Sequence, residues 1–469
     1  MSSALPDALH RLGCDVRVLT PRYGPIDADR HHLIHSGHHA NISLRGHELK
    51  VEFLEQKPAE GPRTYFLQCD VLYDRPGIYV DPFTGKDYVD NDYRYVTLSK
   101  AALKLCELLS WSPDIFHCHD WQSALMALYL SVAREQKQFV KSRSVMTIHN
   151  MAYQGMFTPE SVARLNGAER FFAPGGPLEF YGHVNFLKAG IEFADALNTV
   201  SPTYAKEIQS TYEFGFGLEG VLSARGDLTG ILNGIDVDIW NPESDSHIAQ
   251  NYAIDSLRQK AENKQALCRQ MGLPYHSKVP LLGIVSRIVS QKGFDILIEA
   301  LPEILNLPAQ FVLLGSGDAY HEHLLREMAG VFPDRAAVRI GYDEDLSHLI
   351  EAGADLFLMP SKYEPCGLNQ MMSMRYGTLP IVRATGGLAD SVSDADANPE
   401  DGTGFSFEDY TSIELLSTTR RALNAYHDPA RWQKLQRNAM QQDFSWSRSA
   451  QSYLDLYEQS LSKPPRSLK

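Results

Sequence analysis

Two short runs in the C-terminal half carry residues suited to a phosphorylated sugar. In Leu281-Leu282-Gly283-Ile284-Val285-Ser286-Arg287-Ile288-Val289-Ser290-Gln291-Lys292-Gly293 an apolar strand pattern passes through a loop into a helix start. Arg287 and Lys292 therefore fall at the carboxyl end of a strand, where open α/β sheets place ligands. Lys292 also adjoins a helix N-terminus, so its ammonium, free backbone N–H groups and the helix dipole can face one anion. A diphosphate suits that arrangement, with Arg287 able to hold two oxygens at once. In Met359-Pro360-Ser361-Lys362-Tyr363-Glu364-Pro365-Cys366-Gly367-Leu368 an apolar run ends in a proline and Glu364 follows in a tight Pro/Gly loop. A carboxylate there can accept hydrogen bonds from sugar hydroxyls, and the amides of Cys366 and Gly367 can bind ligand oxygens. Cys366 itself reads as a small buried residue rather than a nucleophile.

Weaker signals surround these two. Thr385-Gly386-Gly387 opens a helix, and glycines there let the backbone approach a phosphate. In the N-terminal half, His117-Cys118-His119-Asp120-Trp121 ends one strand pattern and His149-Asn150 ends the next. Asp120 and His149 read as groups at two adjacent strand ends. His117 and His119 share one strand face, but no third ligand stands at metal spacing. The cluster His31, His32, His35, His38 and His39 reads as a solvated hairpin or loop, and the pairs Asp236/Asp238 and Asp394/Asp396 as turn residues.

Positioning these groups requires strands alternating with helices, the pattern of a parallel α/β sheet. Strands are expected over residues 16–20, 63–69, 115–119, 144–148 and 196–200, then 281–285, 310–314, 337–341, 356–360 and 379–383. Helices are expected over 91–109, 121–134, 294–305, 319–332 and 364–376, with a short amphipathic helix over 1–12. The polar stretch after Asn233-Gly234-Ile235-Asp236 puts a domain boundary near residue 240. The expected division is 1–240, 241–445, and a helix over 446–469 that packs across both halves.

Composition narrows the class. With 469 residues, 43% apolar and 10% aromatic, the chain can bury two or three domain cores. A net charge of −14 disfavours nucleic acid and anionic lipid as partners, so a phosphate must meet a local cluster of positive charge. No stretch reaches the ~18–20 apolar residues of a membrane helix. The six cysteines are scattered without a C-x-x-C pair, as in a reduced, cytoplasmic protein.

These blocks, in this order, resemble the bacterial and plant glycogen and starch synthases that use ADP-glucose. The likeness runs over essentially the whole chain. It includes Arg75-Pro76-Gly77-Ile78-Tyr79, His117–Trp121, Thr147-Ile148-His149-Asn150 with Ala152-Tyr153-Gln154-Gly155, and Phe186-Leu187-Lys188-Ala189-Gly190. It continues through Val200-Ser201-Pro202-Thr203-Tyr204, Asn233-Gly234-Ile235-Asp236, Arg287 to Gly293, Glu364 to Leu368 and Thr385 to Leu388.

The resemblance implies the GT-B architecture, two Rossmann-like domains of doubly wound parallel sheet facing across a cleft. It implies transfer of glucose from ADP-glucose to the nonreducing 4-OH of an α-1,4-glucan, with retained configuration, no cofactor and no metal. Carried over by motif, Arg287 and Lys292 hold the diphosphate and Glu364 binds the donor glucose. Cys366, Gly367, Leu368, Thr385, Gly386, Gly387 and Asn233 belong to the same donor pocket. His149 contacts the glucose near the reacting carbon, with Asp120 close by and Asn150 on the sugar. Tyr153 and Gln154 stand on the acceptor side.

Two departures accompany the likeness. Met372 occupies the position where the wider retaining GT-B group carries a ribose-binding glutamate, as is usual in the glycogen synthase branch. A first strand and a Lys-Thr-Gly-Gly-Leu loop, expected before the segment matching Met1, are not in the chain, so the first domain reads as cut short. A glucan- or nucleotide-binding protein without catalysis is the alternative that this departure raises.

Overall fold

The structure, a computed structural model, describes residues 3–44 and 46–466. The chain forms two compact units. The first comprises Met1–Val200, Ala205–Ile231 and Ser449–Lys469, and the second Ser201–Tyr204 with Leu232–Arg448. The division thus falls after Ile231, and residue 240 lies inside the second unit.

In the first unit, one sheet is wholly parallel, in the order Thr229–Gly230, Ala196–Thr199, Arg143–Ile148 and Ile115–His119. Every residue of Arg143–Ile148 is buried, as expected of a central strand covered on both faces. The helix Asp120–Glu135 follows directly on Ile115–His119 and packs against Phe186–Phe193. Gly190 faces the Ala124 side chain there, leaving no room for a larger residue.

The second sheet is mixed. Arg17–Pro21 runs parallel to Arg63–Gln68, but His47–Gln56 and Ile34–Leu44 continue it as antiparallel strands. This hairpin carries His35, His38 and His39 on its outermost strand, and His31 and His32 lie in the turn before it. The strand alternates buried Ala40, Ile42 and Leu44 with exposed neighbours, the pattern of a one-sided sheet. Arg17–Pro21 and Ile115–His119 are both edge strands and line one cavity of 160 Å³ with Leu98, Leu105 and Trp111. The N-terminal helix spans Ala4–Arg11 and buries Leu5, Ala8 and Leu9, while Leu12 is exposed; Met1 and Ser2 lie outside the described residues.

The last helix, Trp446–Leu461, buries Ala450, Tyr453, Leu456, Tyr457 and Ser460, a stripe at three- and four-residue spacing. From Ser449 onward it belongs to the first unit.

The second unit holds a six-stranded parallel sheet. Its order is Ala336–Ile340, Gln310–Gly317, Leu281–Ile288, Leu356–Met359, Leu379–Arg383 and Phe405–Phe407. The three-residue strand Phe405–Phe407 lacks the length to stand out in a sequence pattern. From Leu281–Ile288 the chain winds outward to Ala336–Ile340, then returns to lay Leu356–Met359 on the other side. The strand order therefore reverses between Leu281–Ile288 and Leu356–Met359, the crevice where open sheets bind ligands.

The helix expected over 364–376 is shorter, Asn369–Arg375. Pro365 lacks an amide hydrogen and Gly367 takes φ +70°, so residues 361–368 remain loop.

Candidate active site

At that reversal a cavity of 230 Å³ opens beyond the carboxyl ends of the two strands. Its lining includes Ser286, Arg287, Lys292, Pro360, Ser361 and Asn369. Lys292 ends a single 3₁₀ turn, Ser290–Lys292, just before the helix Phe294–Asn306, and Arg287 is exposed at the end of its strand. The Lys292 ammonium donates to Glu364 Oε2 at 2.5 Å, and the Ser361 hydroxyl donates to the same oxygen at 3.0 Å. Glu364 is only 6% exposed, so its charge is compensated by this lysine within a largely dry surround. The sequence places Arg287, Lys292 and Glu364 at separate points, and the fold brings Lys292 and Glu364 into one ion pair.

Three further contacts fix the loops. Lys362 N donates to Gln291 O and the Gln291 side chain to Tyr363 O, tying the Glu364 loop to the Lys292 turn. The Asn369 amide group donates to Val285 O, closing the cavity floor. The Gln370 amide group donates to Cys366 O, Gly367 O and Ser391 Oγ.

The diglycine turn meets the same loop at close range. Gly387 N donates to Glu364 O, and a Cβ on Gly386 would stand 2.0 Å from Glu364 O, one on Gly387 2.0 Å from Cys366 O. Only glycine permits that approach. Thr385 is buried beside it and Leu368 is partly exposed at the loop's end. Burial pushes the Cys366 thiol up to about 12, although its sulfur receives the backbone N–H of Asn233, so it stays protonated at neutral pH. The buried Asn233 Oδ1 has no hydrogen-bond partner, an open acceptor next to this loop.

In the first unit Asp120 stands at the start of its helix with φ +53°, a strained conformation for a residue bearing a Cβ. The strain aims its carboxylate across to the neighbouring strand end, where Oδ1 accepts His149 N at 2.7 Å. The carboxylate also receives the Asn150 amide; burial outweighs both bonds and pushes the acid up to about 7. His149 and His119 share a ring N–H···N bond of 3.2 Å, and burial lowers them to about 4 and about 3, so both are neutral at pH 7. The Asn150 side chain accepts Ala152 N.

Behind them runs a chain of buried hydrogen bonds that fixes a tautomer. The Thr147 hydroxyl donates its one proton to Asn198 Oδ1 at 2.6 Å. His117 Nε2, 2.6 Å from the same hydroxyl, must then be the donor, leaving Nδ1 to accept from Tyr457 OH at 2.7 Å. Asn198 Nδ2 donates to Tyr453 OH at 3.1 Å. Tyr457 and Tyr453, one turn apart on the last helix, thus pin the strands through His117 and Asn198 respectively. Both His117 nitrogens are engaged within the fold, and burial holds the ring well below its ordinary pKa. Among the described residues no cluster of three or more His, Cys, Asp or Glu is arranged to hold a metal ion.

Tyr153 is 55% exposed, but Gln154 is buried. The Gln154 amide group donates to Met151 O and Phe216 O, and its oxygen accepts from Asn185 Nδ2. These bonds fill the Gln154 amide, so its place is inside the fold and not, as the motif implies, on an acceptor surface. Sequence reasoning missed Ser361, Asn369, Thr147, Asn198, Tyr453 and Tyr457. Thr147 and Ser361 sit inside motifs already singled out; the two tyrosines gave only their helical spacing. The two Asp-x-Asp pairs cap local turns, Asp236 receiving Asp238 N and Ile239 N, and Asp394 receiving Asp396 N and Ala397 N.

This arrangement has recognisable relatives. Residues 1–224 match the family described as starch synthase catalytic domain, and residues 273–440 match glycosyl transferases group 1. The structure is similar to the catalytic domain of Starch Synthase IV from Arabidopsis thaliana bound to ADP and acarbose. The TM-score is 0.87 at 35% identity, covering 98% of this chain and 95% of that one. A sucrose-phosphate synthase from Thermosynechococcus elongatus shares the fold at TM-score 0.60 and 21% identity, over 98% of this chain and 92% of that one. Fold and site together define a glycosyltransferase of GT-B architecture. Glycogen synthase of Nitrosomonas eutropha is 46% identical over 97% of this chain and 91% of its own length. That of Thermotoga maritima is 40% identical over 99% and 96%. The chain belongs to the glycogen synthase family.

Proposed function

We propose that this protein transfers glucose from ADP-glucose to the nonreducing 4-OH of an α-1,4-glucan, with retention of configuration and without a metal ion or cofactor. The observation that carries this reading is the Lys292–Glu364 pair at the strand-order reversal of the second unit, in a chain of the glycogen synthase family. As the glycosidic bond to ADP breaks, negative charge grows on the diphosphate and positive charge on the sugar carbon. Arg287 and Lys292 stabilise the departing diphosphate, a contribution worth several kcal/mol for preorganised charges. Glu364, held by Lys292 and Ser361, accepts hydrogen bonds from glucose hydroxyls, while the Gly386-Gly387 turn and the Cys366 and Gly367 amides line the pocket. His149 and Asn150 serve the sugar, and Asp120 sets their backbone.

A double displacement needs an available carboxylate nucleophile. The engagement of Asp120 with two backbone amides and its raised pKa favour front-face transfer, in which the leaving phosphate assists removal of the acceptor proton. The acidic surface speaks against nucleic acid as a partner. No helix among the described residues is long and apolar enough to cross a membrane, and all six cysteines are free thiols, in keeping with a cytoplasmic site of action.

The test is incubation of the purified protein with ADP-[14C]glucose and glycogen. Label should enter glycogen and be released by an exo-acting α-1,4-glucosidase. Absence of incorporation, or label in a linkage that enzyme cannot cleave, would overturn the reading.

A further inference from the structure

A small sheet in the first unit, of Met156–Phe157, His183–Asn185 and Glu179–Phe180, ends in a turn that exposes an aromatic ring. Tyr181 there is 80% exposed and takes φ +48°, followed by Gly182 at φ +80°. The turn is held rigidly. The Glu179 carboxylate accepts the Gly175 and Gly182 amides at 2.9 and 2.7 Å. The buried Lys188 donates to Gly176 O and Glu179 O at 2.8 and 2.6 Å.

The Tyr181 ring does not stand alone. It meets Phe180 edge to face, with centroids 4.7 Å apart. Phe180 lies against Gly217, where an added Cβ would come within 2.8 Å of Phe180 Cζ and 3.7 Å of a Tyr212 ring carbon. Gly217 has φ +89°, so both its conformation and its space call for glycine. Tyr212 is itself 72% exposed. Tyr181 thus packs on Phe180, and Phe180 and Tyr212 both border Gly217, which gathers the three rings into one aromatic ledge. The Gln154 side chain braces this region by bonding to both Phe216 O and Asn185.

Rings held in water on a strained, hydrogen-bonded turn gain nothing for folding, and such exposed apolar clusters mark contact surfaces. The chemistry of the ledge selects the contact. Residues 179–185 and 211–217 contain no lysine or arginine, so the ledge has no charge for a phosphate or nucleic acid. Flat aromatic faces rimmed by hydroxyls suit a neutral ligand with an apolar C–H face and a polar edge. A pyranose ring has that form, and a glucan repeats it.

We propose that Tyr181 and Tyr212 form a stacking subsite for the α-glucan chain, holding the polymer away from the donor pocket. This rests on the reading of the protein as a glucan-elongating transferase. The substitutions Tyr181→Ala and Tyr212→Ala combined should weaken glycogen binding about tenfold, from two lost stacking contacts. Tyr181→Phe with Tyr212→Phe, which keeps the rings, should stay within about twofold of the parent. Binding is read by affinity electrophoresis in glycogen-containing gels without ADP-glucose, and KM values for glycogen and ADP-glucose are measured separately. Only the glycogen KM should rise in the alanine variant, with kcat and the ADP-glucose KM nearly unchanged. Unaltered glycogen binding in the alanine variant would overturn the subsite, as would equal losses in the phenylalanine variant. If the parent protein binds and elongates no glycogen at all, the functional reading falls and the subsite with it.

Discussion

Replacing Asp120 with asparagine gives a test whose sign changes with pH. In the folded protein the carboxyl is pushed up from 3.8 to about 7, burial outweighing its bonds to the His149 and Asn150 amides. A raised acid binds its proton more tightly in the folded than in the unfolded state, so stability falls as pH rises from near 4 to near 7 and then levels off. Between pH 5 and 8 the proton is lost over roughly two pKa units, which at about 1.4 kcal/mol each sets an upper limit near 3 kcal/mol. Part of the residue reaches solvent, which reduces the expected change to about 1–2 kcal/mol.

An asparagine at this position cannot ionise, tolerates the positive φ, and keeps one acceptor oxygen. At pH 5 the Asp120→Asn variant should be less stable than the parent by about 1 kcal/mol, the worth of a weakened buried hydrogen bond. That deficit should shrink or reverse by pH 8. His119 and His149, at about 3 and about 4, stay neutral in the folded protein and take up protons only on unfolding, in parent and variant alike, so their contribution cancels in the difference. Urea unfolding followed by tryptophan fluorescence at pH 5, 6, 7 and 8 measures the difference. A deficit that is constant across the range, or that grows with pH, would refute the reasoning.

Other outcomes follow from the same geometry. Glu364→Ala should lower kcat for glucosyl transfer by at least about 100-fold through loss of a preorganised sugar contact, with an unchanged circular dichroism spectrum. Cys366, protonated and buried, should resist iodoacetamide at pH 8 in the folded protein and react on unfolding, as read by peptide mass spectrometry. Tyr457→Phe removes the donor to His117 Nδ1 and should destabilise the protein by about 1–2 kcal/mol in urea.

The longer parallel strands were legible because each is a short apolar run bounded by turn residues, and Ile115–His119 and Leu379–Arg383 fall where the pattern puts them, whereas Thr229–Gly230 and Phe405–Phe407 are too short to show. The antiparallel strands Ile34–Leu44 and His47–Gln56 were not among the expected strands, the histidine-rich run reading only as a solvated hairpin or loop, since the half-exposed residues of a one-sided sheet make no continuous apolar run. The helix start at Asn369 was misplaced because an apolar period continues through residues whose backbone Pro365 and Gly367 forbid from helix.

Residue types alone marked Arg287, Lys292 and Glu364 as groups suited to a phosphate and a sugar, because charge and loop position are local properties of a sequence. Only the tertiary structure decided that Lys292 and Glu364 neutralise one another, that Asp120 holds the His149 and Asn150 amides, and that Gln154 is used inside the fold. The physical reason is that a hydrogen bond or ion pair needs about 3 Å, and residues 72 and 29 positions apart reach it only after the strands that carry them are laid side by side.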